Sequence, residues 1–215
     1  MSPSRPVSSP LSYLLSVTNS TRDDQSWSNR VLASFLESFT AQHPGVEVRE
    51  RTTLDIPHLD LPAQRAGRIP VDAMTPDQAE AFALAAELTA EVEQASAVVI
   101  ATPMYNWGPP SSLKAWFDHI VNVQTFYQPS GLLAGLPVTC IVASGGLYSE
   151  GANVEHDHLR PLIREIFSRI GITDLVFVNC DPTGPLDRGL LSPSDPTSGY
   201  TRALAQVPAA AARRR

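Results

Sequence analysis

The stretch VVIATPMYNWGPPSSLKAWFDHIV, residues 98–121, changes its hydrophobic period halfway along. Its first part, which ends near Thr102, is a continuous apolar run and reads as a buried strand. Its last part puts Leu113, Trp116, Phe117, Ile120 and Val121 on one helical face. Between them lies a turn built from Met104, Tyr105, Asn106 and Trp107, where a tight connection ordinarily takes small or polar residues. Pro103 stiffens the exit from the strand, and Pro109 and Pro110 pre-set the entry to the helix.

The same alternation runs through the chain. LSYLLSVT (11–18) reads as a first buried strand, and after a polar loop Val31, Leu32, Phe35, Leu36 and Phe39 recur at helical spacing. VEVRERTT (46–53) alternates and reads as a second strand, nearer an edge, followed by an irregular, proline-held excursion over 54–70. Thr75, Pro76 and Gln78 supply a cap, a first-turn proline and a capping-box glutamine for an Ala-rich helix running to about Gln94. SAVVIAT (96–102), LPVTCIVAS (136–144) and ITDLVFVNC (172–180) are the third, fourth and fifth strands. A helix marked by Leu159, Leu162, Ile163, Ile166, Phe167 and Ile170, and closed by Gly171, separates the last two. Strands alternating with helices predict an α/β fold with a parallel sheet, and five strands fit a flavodoxin-like three-layer sandwich of order 2-1-3-4-5.

The bulk properties agree with one domain. The chain has 215 residues, 43% of them hydrophobic and 18% charged, enough apolar content for a core. A formal net charge of -6 argues against a nucleic-acid partner, since no basic stripe is visible. Cys140 and Cys180 show neither CxxC nor metal-type spacing and read as buried thiols of a reducing cytosol. MSPSRPVSSP has no apolar h-region, and no run of 18 apolar residues exists, so the expectation is a cytoplasmic protein without a membrane partner. Residues 1–10 read as a loose N-terminus, 11–181 as the domain, and 182–215 as a Pro/Ala-rich extension of it. The closing PAAAARRR fits a short helix or a frayed end equally.

In open parallel sheets ligands bind outside the carboxyl ends of the strands, at the switch between strands 1 and 3. That selects loops 19–30, 103–112 and 144–152. The first, NSTRDDQSWSNR, opens a helix, whose free N–H groups suit a phosphate, with Ser20, Ser26 and Ser28 as hydroxyl donors and Arg22 as an available charge. Plain capping by Ser26 or Ser28 explains the same residues. Neither GxxxxGK[ST] nor GxGxxG is present. The second loop holds residues 104–107 on a stiff turn that could cover a planar ring or plug the core. The third, SGGLYSEG (144–151), lets backbone approach a ligand closely or makes an ordinary turn. EHDH (155–158) reads as a helix start capped by Asp157 rather than a metal site, and His119 as structural. With no triad in view, a cofactor is expected to supply the reactivity.

Together these loops resemble the FMN-dependent NAD(P)H azoreductase/quinone reductase family. The carrying residues are PMYNW with SSLKAWFDHIV, the Ser-x-Ser of Ser26–Ser28 with Ser20 upstream, TFYQPSGLLAGLPV, the SGG of 144–146 and HLRPLIREIFSRIGITDLVFV. The resemblance spans roughly residues 11 to 180. It implies FMN, with NAD(P)H as co-substrate, a small-molecule acceptor and a homodimer with the active site at the interface. It implies that Ser20, Ser26, Trp27 and Ser28 hold the FMN phosphate. Pro103, Met104, Tyr105, Asn106 and Trp107 would contact the ribityl chain and ring, and Ser144, Gly145 and Gly146 the pyrimidine side. Phe126 and Tyr127 would reach, with Trp107, toward the substrate pocket. The implied reaction is ping-pong two-electron transfer to a quinone or azo compound, with no catalytic protein nucleophile. The chain departs from the family where relatives commonly read Ser-Arg-Gly-Gly, at Trp107 where many carry Phe, and in the tail. A tailoring reductase for one natural product, an electron carrier without NAD(P)H turnover, and a scaffold without flavin remain as other classes.

Overall fold

A computed structural model of the protein describes residues 13–126 and 133–215, the side chain of Asp23 excepted. The expected loose N-terminus and Tyr127 lie outside the described residues. Among these, five parallel strands form one sheet of order β2-β1-β3-β4-β5: β1 Tyr13–Thr18, β2 Glu47–Thr52, β3 Ala95–Pro103, β4 Val138–Ala143 and β5 Leu175–Cys180. The order is the one the alternation predicts.

The helices follow from the same periodicities. α1 is Trp27–Gln42, and α3, Pro76–Gln94, starts on the full capping box, with Thr75 accepting from Gln78 and Gln78 from Thr75. α4 is Ser111–Ile120, entered through Pro110, and a short α5 runs Val123–Phe126. α6 is Arg160–Arg169. The 54–70 excursion is not wholly irregular: it contains α2, Leu61–Ala66. Asp60 caps that turn by accepting from the Ala63 N–H at 2.8 Å, and Pro62 fits its first turn.

The tail, whose form the sequence left open, is structured. After α7, Gly184–Asp187, it forms α8, Gly199–Ala211, capped by Ser198 accepting from the Thr201 N–H at 3.0 Å. Ala203, Val207, Ala210 and Ala211 pack with Val31, Phe35 and Phe39 of α1 against Val99 and Ile141. Beyond α8, Arg213 donates to the Val138 carbonyl at 3.0 Å, and the Arg215 N–H to that of Ser96 at 3.0 Å. The basic end is thus bonded to the amino ends of β3 and β4.

On the other face α3, α4 and α6 bury Leu88, Val92, Leu113, Trp116, Phe117 and Phe167 against Val98, Ile100 and Val142. A sheet covered on both faces must be apolar on both, and β3 is buried along its whole length. No helix among the described residues is long and apolar enough to cross a membrane.

Phe117 is the centre of the second layer, its ring 5.3 Å from Trp116 and 5.6 Å from Phe167. Phe117→Ala is expected to lower unfolding stability by about 3–5 kcal/mol in urea titrations, since a fully buried ring leaves a cavity its neighbours cannot fill.

Candidate active site

A pocket of about 160 Å³ opens at the carboxyl edge of the sheet. The loop after β1 gives it Ser20, Arg22, Ser26, Trp27 and Ser28. Pro103, Met104 and Tyr105 come from the end of β3, Ala143, Ser144 and Gly145 from β4, and Thr183 and Asp187 from beyond β5. The structure therefore brings together ten of the residues singled out from the sequence. Asn106, Trp107, Gly146 and Phe126 are not on this wall.

One wall is the start of α1. Ser26 is the N-cap and accepts from the Asn29 N–H at 3.3 Å, while its hydroxyl lies 3.0 Å from that of the fully buried Ser28. Ser20 accepts from the Arg22 N–H at 3.2 Å. The first turn of α1 carries no acidic residue, so its positive dipole end is not compensated within the helix. Three hydroxyls, a helix terminus and one guanidinium are a donor set suited to a phosphate. Capping and anion binding are compatible here, because Ser26 serves the helix while lining the pocket.

The aromatic turn has an unusual backbone. Tyr105 and Gly108 exchange two hydrogen bonds, each 3.0 Å, and the residues between them have φ of 47° for Asn106 and 65° for Trp107. Positive φ at both central positions defines a type I′ turn, which favours Asn at the first and Gly at the second. Asn tolerates the left-handed region; a bulky Trp there is strained. Three bonds hold the strain in place: the paired Tyr105–Gly108 bonds and a third from the His158 N–H to the Trp107 carbonyl at 3.0 Å. Met104 is tied in as well, its N–H donating to the Ala143 carbonyl at 2.7 Å. The Trp107 side chain is 53% exposed, so it is not core filler. Met104 packs against the core below.

The glycine loop is fixed from beneath. A Cβ on Gly145 would meet nothing within 4 Å, consistent with its facing open pocket space, whereas one on Gly146 would stand 2.9 Å from the Tyr148 ring. Gly184 is needed for close approach: a Cβ there would come 2.8 Å from the Gly145 carbonyl, which accepts the Gly184 N–H at 2.9 Å. Thr183 donates its N–H to the Ser144 carbonyl at 2.9 Å.

Asp187 closes the same wall as the start of α1. It accepts from the Trp27 indole at 2.8 Å and from both terminal nitrogens of Arg22 at 3.2 and 3.3 Å. Burial works against its charge, but the hydrogen bonds from Arg22 and Trp27 and the charges of Arg22 and Arg30 outweigh that, holding the carboxyl below the usual range. Thr183, Gly184 and Asp187 escaped the sequence reading because they follow the fifth strand, away from the β1/β3 switch. The signal that could have found them is their place just past a strand's carboxyl end, in a turn-rich DPTGP run.

The other candidates are structural. His119 is buried with Nε2 3.1 Å from the Pro57 carbonyl. Asp157 accepts from the Leu159 and Arg160 N–H groups at 2.9 and 3.0 Å, capping the start of α6. Among the described residues no group of three or more His, Cys, Asp and Glu is placed to hold a metal ion. Cys140 and Cys180 are free and buried; burial, then the Asp181 charge, pushes the Cys180 thiol up to about 12, and burial raises Cys140 further.

Comparison with known proteins agrees with this geometry. The pattern of the flavodoxin-like fold family matches residues 13–189. An FMN-dependent NADH:quinone oxidoreductase of Mesorhizobium japonicum is 33% identical over 206 residues, 93% of this chain and 95% of the relative. Another from Aromatoleum aromaticum is 39% identical over 172 residues, 77% of this chain and 85% of the relative. The fold resembles that of an azoreductase from Bacillus anthracis with a TM-score of 0.78 at 21% identity, over 94% of this chain and 99% of that one. It also resembles an FMN-dependent NADH-azoreductase from the same species, solved in complex with FMN, with a TM-score of 0.74 at 24% identity, over 93% and 97%. The chain belongs to the flavodoxin-like family of FMN-dependent NADH:quinone oxidoreductases.

Two outcomes are expected at this site. Trp107→Gly creates the Asn-Gly pair that a type I′ turn favours and should raise unfolding stability by about 1 kcal/mol, measured in urea, by releasing left-handed strain. Asp187→Asn should lower stability at neutral pH, and this penalty should disappear in acid. The folded carboxyl titrates lower than the unfolded one, near 3.9, so its contribution is complete above that value and is lost as pH falls through the folded value. Melting curves of both proteins from pH 6 to pH 2 measure the convergence.

Proposed function

We propose that the protein is an FMN-dependent oxidoreductase that takes a hydride from NAD(P)H and passes two electrons to a quinone, azo or similar conjugated acceptor. The observation that carries this reading is the hydroxyl-lined helix terminus sharing one pocket with the end of β3 and the glycine loop. Bound FMN would supply the two-electron chemistry, with NAD(P)⁺ leaving before the acceptor enters, so that NAD(P)H, a proton and a quinone give NAD(P)⁺ and a quinol.

The chain's own residues bind and orient. Ser20, Ser26, Ser28 and the first N–H groups of α1 would hold the phosphate, with Trp27 and the Arg22 guanidinium, itself paired with Asp187, flanking them. Pro103, Met104 and Tyr105 line the path of the ribityl chain. The N–H groups of Asn106 and Trp107 are left out of the turn's own bonds and are available to the edge of a planar ring. Ser144, Gly145 and Gly146 bring backbone to its pyrimidine side. Trp107 and Phe126 would border the acceptor, a role the family resemblance also gives Tyr127, and the final proton would come from solvent or a pocket hydroxyl.

The working form we propose is a cytoplasmic homodimer. The pocket of about 160 Å³ is below the 300–1,000 Å³ common for drug-sized ligands, which supports completion of the site by a second subunit. Two buried, unpaired cysteines fit a reducing compartment. Half-exposed Trp107 suits stacking on an aromatic acceptor, which includes a natural-product quinone.

Anaerobic stopped-flow mixing of the FMN-loaded protein with NADH or NADPH should bleach the flavin absorbance, and a quinone should restore it. If neither nucleotide bleaches the bound flavin, an electron carrier replaces the enzyme. Ser28→Ala should weaken FMN binding about tenfold in fluorescence titrations while leaving the apoprotein melting temperature nearly unchanged, because Ser26 carries the cap.

A further inference from the structure

We propose that Arg160 is a positioning residue for the bound cofactor: by bridging two buried carboxylates it locks the glycine loop and the Trp107 turn together. This rests on the FMN reading above. Asp157, Arg160 and Asp181 are 6%, 9% and 1% exposed. The Arg160 guanidinium donates to Asp157 Oδ2 at 2.8 Å and to Asn179 Oδ1 at 2.9 Å, and its other terminal nitrogen lies 3.5 Å from Asp181 Oδ2. Among the described residues it is the one cation whose side chain reaches both carboxylates.

Each carboxylate commands one of the loops. Asp181 accepts from the Tyr148 and Ser149 N–H groups at 3.0 and 2.9 Å and from the Ser149 hydroxyl at 2.7 Å. The Ser144 hydroxyl lies 3.4 Å from the same carboxylate. It therefore sets the course of 144–149, the loop proposed to face the pyrimidine side. Asp157, through the Leu159 and Arg160 N–H groups, fixes His158, whose N–H holds the Trp107 carbonyl. Without Arg160 the two buried carboxylates lose the cation they share, and nothing ties the loop held by Asp181 to the turn held through Asp157. The two loops are then free to drift relative to one another. Arg202 also reaches Asp181, donating to its carbonyl, but its charge is paired with Glu150, so Arg160 is the cation set against the two buried carboxylates. Losing that cation leaves extra negative charge behind the glycine loop, which disfavours the more negative redox state of the cofactor. Lysine would keep the charge, but one ammonium cannot reach three partners as a guanidinium does.

The test is FMN titration of the wild-type, Arg160→Met and Arg160→Lys apoproteins, with midpoint potentials of the loaded forms. Arg160→Met should bind FMN at least tenfold more weakly and lower the potential by about 30 mV, the equivalent of a tenfold shift for a two-electron couple. Arg160→Lys should restore the potential and remain about threefold weaker in affinity. A merely structural role predicts no charge-dependent rescue of the potential. Wild-type affinity and potential in folded Arg160→Met overturn the proposal. If that variant does not fold, wild-type affinity in Arg160→Lys does so. A wild-type apoprotein that takes up no FMN sinks the functional reading and this inference with it; FMN-binding wild type with indifferent variants sinks the inference alone.

Discussion

The constraint on which the molecule rests is the complete burial of β3. Nine consecutive residues, Ala95 to Pro103, have no solvent face. A strand buried on both sides requires a helical layer above and another below, and parallel neighbours joined by crossovers provide them. α3, α4 and α6 form one layer and α1 with α8 the other. Parallel strands also end on the same edge, so the loops after β1, β3, β4 and β5 converge without any specific attraction between them. The pocket is a consequence of that convergence. What the individual residues add is chemistry: hydroxyls and a helix terminus on one side, strained backbone and glycine on the other.

The strain at Asn106 and Trp107 makes sense within that frame. A turn of four residues carrying two large side chains would relax if it stood alone. Here the Tyr105–Gly108 bonds, the His158 bond to Trp107 and the tie from Met104 to β4 over-determine it. Strain that persists under such bracing is a common mark of a working site. The same bracing explains why a buried ionic cluster lies behind the loops: an apolar core could fill the volume, but it could not direct the N–H groups of Tyr148 and Ser149.

Much of this was legible in the sequence because the relevant signals are local. The period change within 98–121, the Thr75 capping box and the serines opening α1 each depend on a few neighbouring residues. The sheet order followed from the strand–helix alternation and the fit of five strands to the flavodoxin-like arrangement. What escaped depends on partners distant along the chain. The tail helix offers only small apolar residues and an internal Pro208, and its place is decided by α1, more than 160 residues earlier. Thr183 and Asp187 become pocket walls only once β5 lies beside β4. Arg160 reads as an ordinary helix-start arginine until Asp181 is brought to it. The left-handed backbone at Trp107 has no sequence signature at all, since its residue type argues against it.

The two native cysteines have a practical corollary. Both thiols are enclosed and raised well above neutral titration. To a maleimide or an alkylating dye, the folded protein presents a thiol-free exterior. One cysteine placed on an exposed position would be a single reactive handle, without first removing the native pair and opening holes between the sheet and its helices. A spin label or fluorophore attached there would report on its surroundings in solution against an unmodified background.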